Sequence, residues 1–174
     1  MVTARDFVNH AQSGDYLGIS YDKLDCQAFV EKVLADTGYR YDWRGSNDMW
    51  RNAVRNRAKI ENADDIPAGA WVFTIKQDGG EKERGYYDNM GNATHVGIYL
   101  GDGAVIHSTS TKSNGKSGVQ MDKITSKRWT DYALCKYINY EETGNTAADL
   151  RDLVKQLSKF PLSQVIDAIR AEWG

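Results

Sequence analysis

The apolar positions of the chain follow first a helical and then a strand spacing, and turn or cap residues mark most of the changes. Phe7, Val8 and Ala11 share one side of a predicted helix over residues 3–12, which Ser13-Gly14 ends. Cys26, Val30 and Val33 recur at i, i+4 and i+7 with Phe29 and Leu34 alongside, so residues 26–36 read as an amphipathic helix. Asp25 is placed to cap it and Gly38 to stop it. Met49, Trp50, Ala53 and Val54 form the apolar face of a third predicted helix, from Ser46 to about Lys59, with Arg51, Arg55, Arg57 and Lys59 on its polar side. Beyond Ile66-Pro67-Ala68-Gly69 the spacing becomes that of strands. Ala70–Ile75 is one. Residues 77–92 are a polar excursion in which Tyr86, Tyr87 and Met90 are candidates to wall a site. Thr94–Leu100 and Ala104–Thr109 then form a hairpin about Gly101-Asp102-Gly103. A polar loop over 111–118, a short strand around Val119-Gln120-Met121 and a strand from Asp131 to Ile138 follow. The tail carries two helical stripes, Leu150, Leu153, Val154 and Leu157, then Val165, Ile166 and Ile169, broken at Phe160-Pro161.

Composition narrows the function classes. With 174 residues, 41% hydrophobic content and 2 prolines, the chain suits one folded domain and a small appendage. A net charge of -2 gives no general attraction to nucleic acid, and the basic side of residues 46–59 reads as a solvated face. No apolar run has the length of a membrane span, so membrane insertion is not expected. The first residues lack the basic segment and apolar run of a secretory signal. Cys26 and Cys135 are both expected to be reduced, the second as a buried thiol in a strand.

The chemistry concentrates in Cys26, His95 and His107. A helix N-terminus lowers a thiol pKa, and the thiolate is the nucleophile, so Cys26 is expected to titrate well below a free cysteine. The hairpin loop decides whether the histidines can work together. A two-residue loop at Asp102-Gly103 would pair Ile98 with His107 and send the imidazoles to opposite faces. A three-residue loop, with Gly103 left-handed, pairs Leu100 with Ala104 and Gly97 with His107, leaving His95 one diagonal step away on the same face. The three-residue loop is the expectation, with Gly97 leaving room beside the two rings. The parts are then those of a thiol hydrolase, His95 as base and His107 as orienter. A Cys-His-His zinc site is the competing reading, but the spacings lack paired ligands and the remaining histidine, His10, sits in the N-terminal helix. No metal or other cofactor is expected.

Three blocks carry a resemblance: D-C-Q-A-F-V at 25–30, P-A-G-A-W-V-F at 67–73 and H-V-G-I-Y-L-G-D-G-A-V-I-H at 95–107. They resemble the NlpC-type papain-like cell-wall cysteine peptidases over about Tyr16–Ile138. That resemblance implies an α+β, papain-like NlpC-type fold, with the nucleophile helix packed on a central antiparallel sheet and extra C-terminal helices. It divides the chain into a peptidase domain, 1–140, and a helical extension, 141–174. It implies Cys26 as nucleophile, His95 as base, His107 as third residue, and Asp25 with Tyr16 or Tyr21 as substrate-binding. Gln27-Ala28 in place of Ser-Gly and Ala70 in place of aspartate depart from the family pattern, and the excursion before His95 is longer than usual. The implied substrate is a peptidoglycan stem peptide, cut between D-γ-glutamate and the following diamino acid. A CHAP-like amidase, an acyltransferase and a silent wall-binding or phage-tail module are the alternatives. With no signal peptide visible, a phage product acting on the wall is expected, its C-terminal helices meeting a tail or wall-binding partner.

Overall fold

Six antiparallel strands form the sheet on which the Cys26 helix packs, in a computed structural model that describes residues 1–113, 116–125 and 127–140. β1 (Val2–Thr3) leads into α1 (Ala4–Ala11), where the Thr3 hydroxyl accepts from the Asp6 N–H at 3.1 Å. α2 (Cys26–Asp36) begins at Asp25, whose carboxylate accepts from the Ala28 N–H at 2.8 Å. Then come α3 (Ser46–Asp48), a π-helical turn over Met49–Ala53, β2 (Val54–Lys59), β3 (Trp71–Lys76), α4 (Gly80–Glu83), β4 (Asn92–Gly101), β5 (Ala104–Ser113), β6 (Lys116–Lys123), β7 (Asp131–Cys135) and β8 (Ile138–Asn139). The sheet order is β2-β7-β3-β4-β5-β6, and β1 pairs in parallel with β8.

Alternation along the central strands gives the sheet two different faces. Val96, Ile98 and Ile106 are buried with Phe29, Val30, Val33 and Leu34 of α2. Each large side chain so buried contributes about 1.5–3 kcal/mol. Val72, Tyr99 and Val105 point the other way, into a smaller cluster closed by Ile124 and Trp129. An α-helical layer on an antiparallel sheet is the expected α+β arrangement.

Three elements differ from their sequence reading. The segment from Ser46 is helical only to Ala53, and Val54–Lys59 is a strand paired with β7, not the second half of a helix. Asn56 is left-handed (φ 50°) and the pairing shifts between Arg55 and Ala58, so a bulge lets this polar stretch join the sheet edge. Arg57 turns back to donate to the carbonyls of Trp50, Arg51 and Val54 at the end of the π-helical turn, satisfying acceptors that a continuing helix would have used. The excursion over 77–92 contains a helical turn, α4. The polar loop read at 111–118 is shorter, since β5 and β6 remain paired out to Ser113 and Lys116.

The hairpin turn is also different, with a compensating feature. Gly101 pairs with Ala104 around Asp102 (φ 50°) and Gly103 (φ 76°), a two-residue turn with both residues left-handed. A bulge between Tyr99 and Gly101 then absorbs Leu100, so that Tyr99 faces Val105 and Ile98 faces Ile106. Continued by one step, this register sets Gly97 opposite His107. Contacts divide the chain into Met1–Glu142 and Thr143–Gly174; both helical stripes read in the tail lie outside the described residues.

Candidate active site

Cys26 is the first residue of α2 and only 8% exposed. Backbone N–H groups of Val96 on β4, and of Cys26 and Gln27 at the start of its own helix, lie near enough to its sulfur to pull its pKa down. Those last two N–H groups are among the donors that a helix start leaves without intrahelical partners. The β4–β5 ladder closes at Ile98–Ile106, on the turn side of His95 and His107. The thiol thus reaches β4 beside His95, where the strands are no longer paired with each other.

The two imidazoles meet directly. His95 Nε2 lies 2.8 Å from His107 Nδ1, the rings perpendicular at 5.0 Å between centroids. Trp129 stacks on His95 at 5.4 Å and packs edge-on to His107. Gly97 makes this possible: a Cβ there would stand 2.9 Å from the Trp129 ring and 3.0 Å from His107 Cβ. Among the described residues no hydrogen bond joins Cys26 to His95. His95 Nε2 is engaged with His107 Nδ1, and neither histidine lines the cavity beside Cys26.

Arg128, which no sequence pattern marks, stands over the pair. Its Nη1 is 3.4 Å from His107 Nδ1 and 3.5 Å from His95 Nε2, and donates to the Thr109 hydroxyl at 3.0 Å. A guanidinium can only donate, so one of the two facing nitrogens must offer a lone pair. His107 Nε2 decides which. It is buried without a hydrogen bond and lies 3.8 Å from the Asp122 carboxylate, an environment that favours a proton there. His107 Nδ1 is then the acceptor and His95 Nε2–H the donor, which leaves His95 Nδ1 without a proton.

Of the two candidate tyrosines, Tyr21 belongs to the site. Its phenol is near enough to Cys26 for the thiol to help raise the phenol pKa, after burial, and with Asp25 and Cys26 it lines a cavity of about 420 Å³. Tyr16 does not belong. It is buried against Phe29, with its hydroxyl on Asp36 at the far end of α2. Tyr86, Tyr87 and Met90 do not line the cavity either; the excursion contributes Gly80, Glu83, Arg84 and Asn92 instead.

The sequence profile of the NlpC/P60 family matches residues 13–137, a span that includes Cys26, both histidines and Arg128. The chain belongs to the NlpC/P60 family. Solved NlpC/P60 structures share its fold at low identity. The P60 domain of an antigen from M. avium subspecies paratuberculosis is 20% identical, covering 76% of this chain and 96% of that one, with a TM-score of 0.52. An NlpC/P60 family protein from Bacillus cereus is 21% identical over 79% and 40%, with a TM-score of 0.52. The NlpC/p60 domain of the peptidoglycan hydrolase SagA is 18% identical over 76% and 98%, with a TM-score of 0.53. No functionally curated protein matches the chain. NlpC/P60 proteins are generally peptidoglycan hydrolases, and some are non-catalytic.

The electrostatics of this NlpC/P60 site correct one expectation. Burial raises the Cys26 pKa above its ordinary value; the N–H groups at the sulfur pull it down, and the Asp25 carboxylate pushes it up again. Burial likewise outweighs other effects at the imidazoles, and lowers both well below the usual histidine value. His107 and Arg128 add to this at His95, and Arg128 adds to it at His107. Thiol and imidazoles therefore rest neutral, and the Cys26 pKa is raised rather than lowered as the helix position led us to expect. Cys135 is a free buried thiol whose pKa burial pushes up to about 12. Among the described residues no group of three or more His, Cys, Asp or Glu side chains is arranged for a metal ion. No described helix is long and apolar enough to cross a membrane.

Proposed function

We propose that the protein is a cysteine peptidase that hydrolyses amide bonds in peptidoglycan stem peptides, between D-γ-glutamate and the following diamino acid. Cys26 is the nucleophile, His95 the base and His107 the residue that orients it. The observation that carries this reading is the 2.8 Å contact of His95 Nε2 with His107 Nδ1 beside Val96, whose N–H group lies near the Cys26 sulfur. Because thiol and imidazole both rest neutral, the proton passes to His95 Nδ1 as the sulfur attacks the carbonyl carbon. The helix-start N–H groups of Cys26 and Gln27 meet the developing oxyanion, where one donor contributes about 3–4 kcal/mol. His95 then protonates the leaving amine, the C–N bond breaks, and a thioester remains. Water, deprotonated by His95, releases the acid and restores the thiol. The sulfur and His95 Nδ1 must close on each other for the first step, as often happens when substrate binds.

The absence of a Cys26–His95 hydrogen bond favours a second reading, a wall-binding module that keeps the fold and has no turnover. Digesting purified peptidoglycan with wild type and Cys26→Ala, with fragments identified by mass spectrometry, separates the two. Wild type is expected to release fragments ending in D-γ-glutamate and Cys26→Ala none. Equal release by both would remove Cys26 from the mechanism, and binding without release by wild type would establish the silent module.

A further inference from the structure

The direction of the His95–His107 hydrogen bond depends on where His107 keeps its proton, and the β5–β6 register bears on that. His107 pairs with Gln120 and Val105 with Asp122, in a stretch of the ladder that runs without a shift from Ala104 to Thr109. Asp122 therefore stands one diagonal step from His107 on the same face. The Lys123 N–H donates to Asp122 Oδ1 at 2.8 Å, and Oδ2 stands 3.8 Å from His107 Nε2. That nitrogen belongs to a fully buried side chain and has no hydrogen-bond partner. The Asp122 side chain is 28% exposed, which puts its carboxylate at the boundary between solvent and the buried ring.

The two tautomers of His107 fare differently in this setting. With the proton on Nε2, an N–H faces the carboxylate, and Nδ1 offers its lone pair to His95 Nε2 at 2.8 Å and to the Arg128 guanidinium at 3.4 Å. With the proton on Nδ1, a ring N–H would face the guanidinium donors and a lone pair would face the carboxylate. At 3.8 Å the Asp122 interaction is one of charge and not a hydrogen bond, and burial of the ring spares it the screening that a surface pair undergoes. The charges around the pair also oppose one another. Burial, His107 and Arg128, the last from the segment between β6 and β7, disfavour a positive charge on His95, whereas Asp122, from β6, favours it. Asp122 does not line the cavity beside Cys26, so its effect on chemistry there passes through the histidines.

We infer that Asp122 is a positioning residue of the histidine pair: it fixes the His107 proton on Nε2, makes Nδ1 the acceptor for His95, and counters the Arg128 charge when His95 is protonated. The tautomer assignment stands on the geometry alone, and its consequence for turnover rests on the peptidase reading above. In that reaction the thiol S–H bond breaks as the His95 Nδ1–H bond forms, and the His107 proton stays on Nε2 throughout.

The test assigns the histidine tautomers of the full chain at neutral pH from ring nitrogen NMR shifts, in wild type, Asp122→Asn and Asp122→Glu. The kcat and KM for a γ-D-glutamyl stem peptide are measured on the same three proteins. Wild-type His107 should carry its proton on Nε2, and a proton on Nδ1 overturns the proposal without any variant. Asp122→Asn, which has no charge and can itself donate, should move a large share of His107 to the Nδ1–H form, and Asp122→Glu should keep the Nε2–H form. Asp122→Asn should lower kcat about tenfold or more with KM within about twofold, and Asp122→Glu should recover part of the loss. Thermal unfolding identifies a packing defect, which would lower Tm and leave the tautomer as it is. An unchanged tautomer in Asp122→Asn, or a changed tautomer with an unchanged kcat, overturns the role of Asp122. A changed tautomer in a protein whose wild type does not cleave supports the positioning of His107 and removes the peptidase reading. Cleavage by Asp122→Asn at the wild-type rate, with the wild-type tautomer, does the reverse.

Discussion

Replacing Arg128 by methionine removes a positive charge 3.4 Å from His107 Nδ1 and 3.5 Å from His95 Nε2. At an effective dielectric constant near 20, a unit charge at that distance opposes protonation of an imidazole by about 5 kcal/mol. Arg128 is half-buried, and solvent screening brings this down to about 1–2 kcal/mol, or roughly one pKa unit. Burial, the largest cause of the depression at both rings, stays in place. The pair should therefore move part of the way back toward the ordinary histidine range. Ring nitrogen and carbon NMR shifts of the histidines, followed through an acid titration, read this directly. The acidic limb of kcat/KM, which reports the free enzyme's groups, should move upward with them. Arg128→Lys keeps the charge and should titrate near wild type. An unchanged midpoint in Arg128→Met would refute the placement of the guanidinium over the pair.

Gly97→Ala puts a Cβ 2.9 Å from Trp129, 3.0 Å from His107 and 3.1 Å from the Ile106 carbonyl. It should cost about 1–3 kcal/mol in a urea melt, and an unchanged midpoint would contradict the packing. Folded His95 and His107 stay neutral down to about pH 3, while in the unfolded chain they protonate near 6.5. As pH falls from about 6.5 toward 3 the unfolded state gains protons that the folded state does not. Stability should fall by up to ~1.4 kcal/mol per pH unit per imidazole, and a flat profile in urea melts would contradict their burial. The Cys26 pKa is raised, so its alkylation by iodoacetamide should be slow at neutral pH and climb only into the alkaline range. A rate already at its plateau below about pH 8 would mean a preformed thiolate.

The parts legible in the sequence are those that local physics decides. Asp25, the i, i+4, i+7 stripe and Gly38 specify α2 from within a dozen residues, and α2 runs Cys26–Asp36 as expected. The shared face of His95 and His107 was legible for a reason that was only partly right. The expected three-residue turn is a two-residue turn plus a bulge at Leu100, and the two devices shift the register equally. Val54–Lys59 misled because its apolar residues continue a helical stripe, whereas pairing with β7, 72 or more residues further on, makes it a strand. Arg128 lies 33 residues from His95 and touches it only through tertiary structure, so no spacing could have announced it. The thiol pKa was misjudged because the helix N-terminus is visible in sequence and the burial of the sulfur is not.

The central claim is that Cys26 forms a covalent acyl intermediate. Intact-protein mass spectrometry of an acid-quenched reaction with a γ-D-glutamyl stem peptide tests it most directly. The account predicts a thioester adduct of the acyl fragment, mapped to Cys26, absent from Cys26→Ala and strongly reduced in His95→Ala. Turnover with no adduct at any quench time, or an adduct that persists in Cys26→Ala, would contradict it.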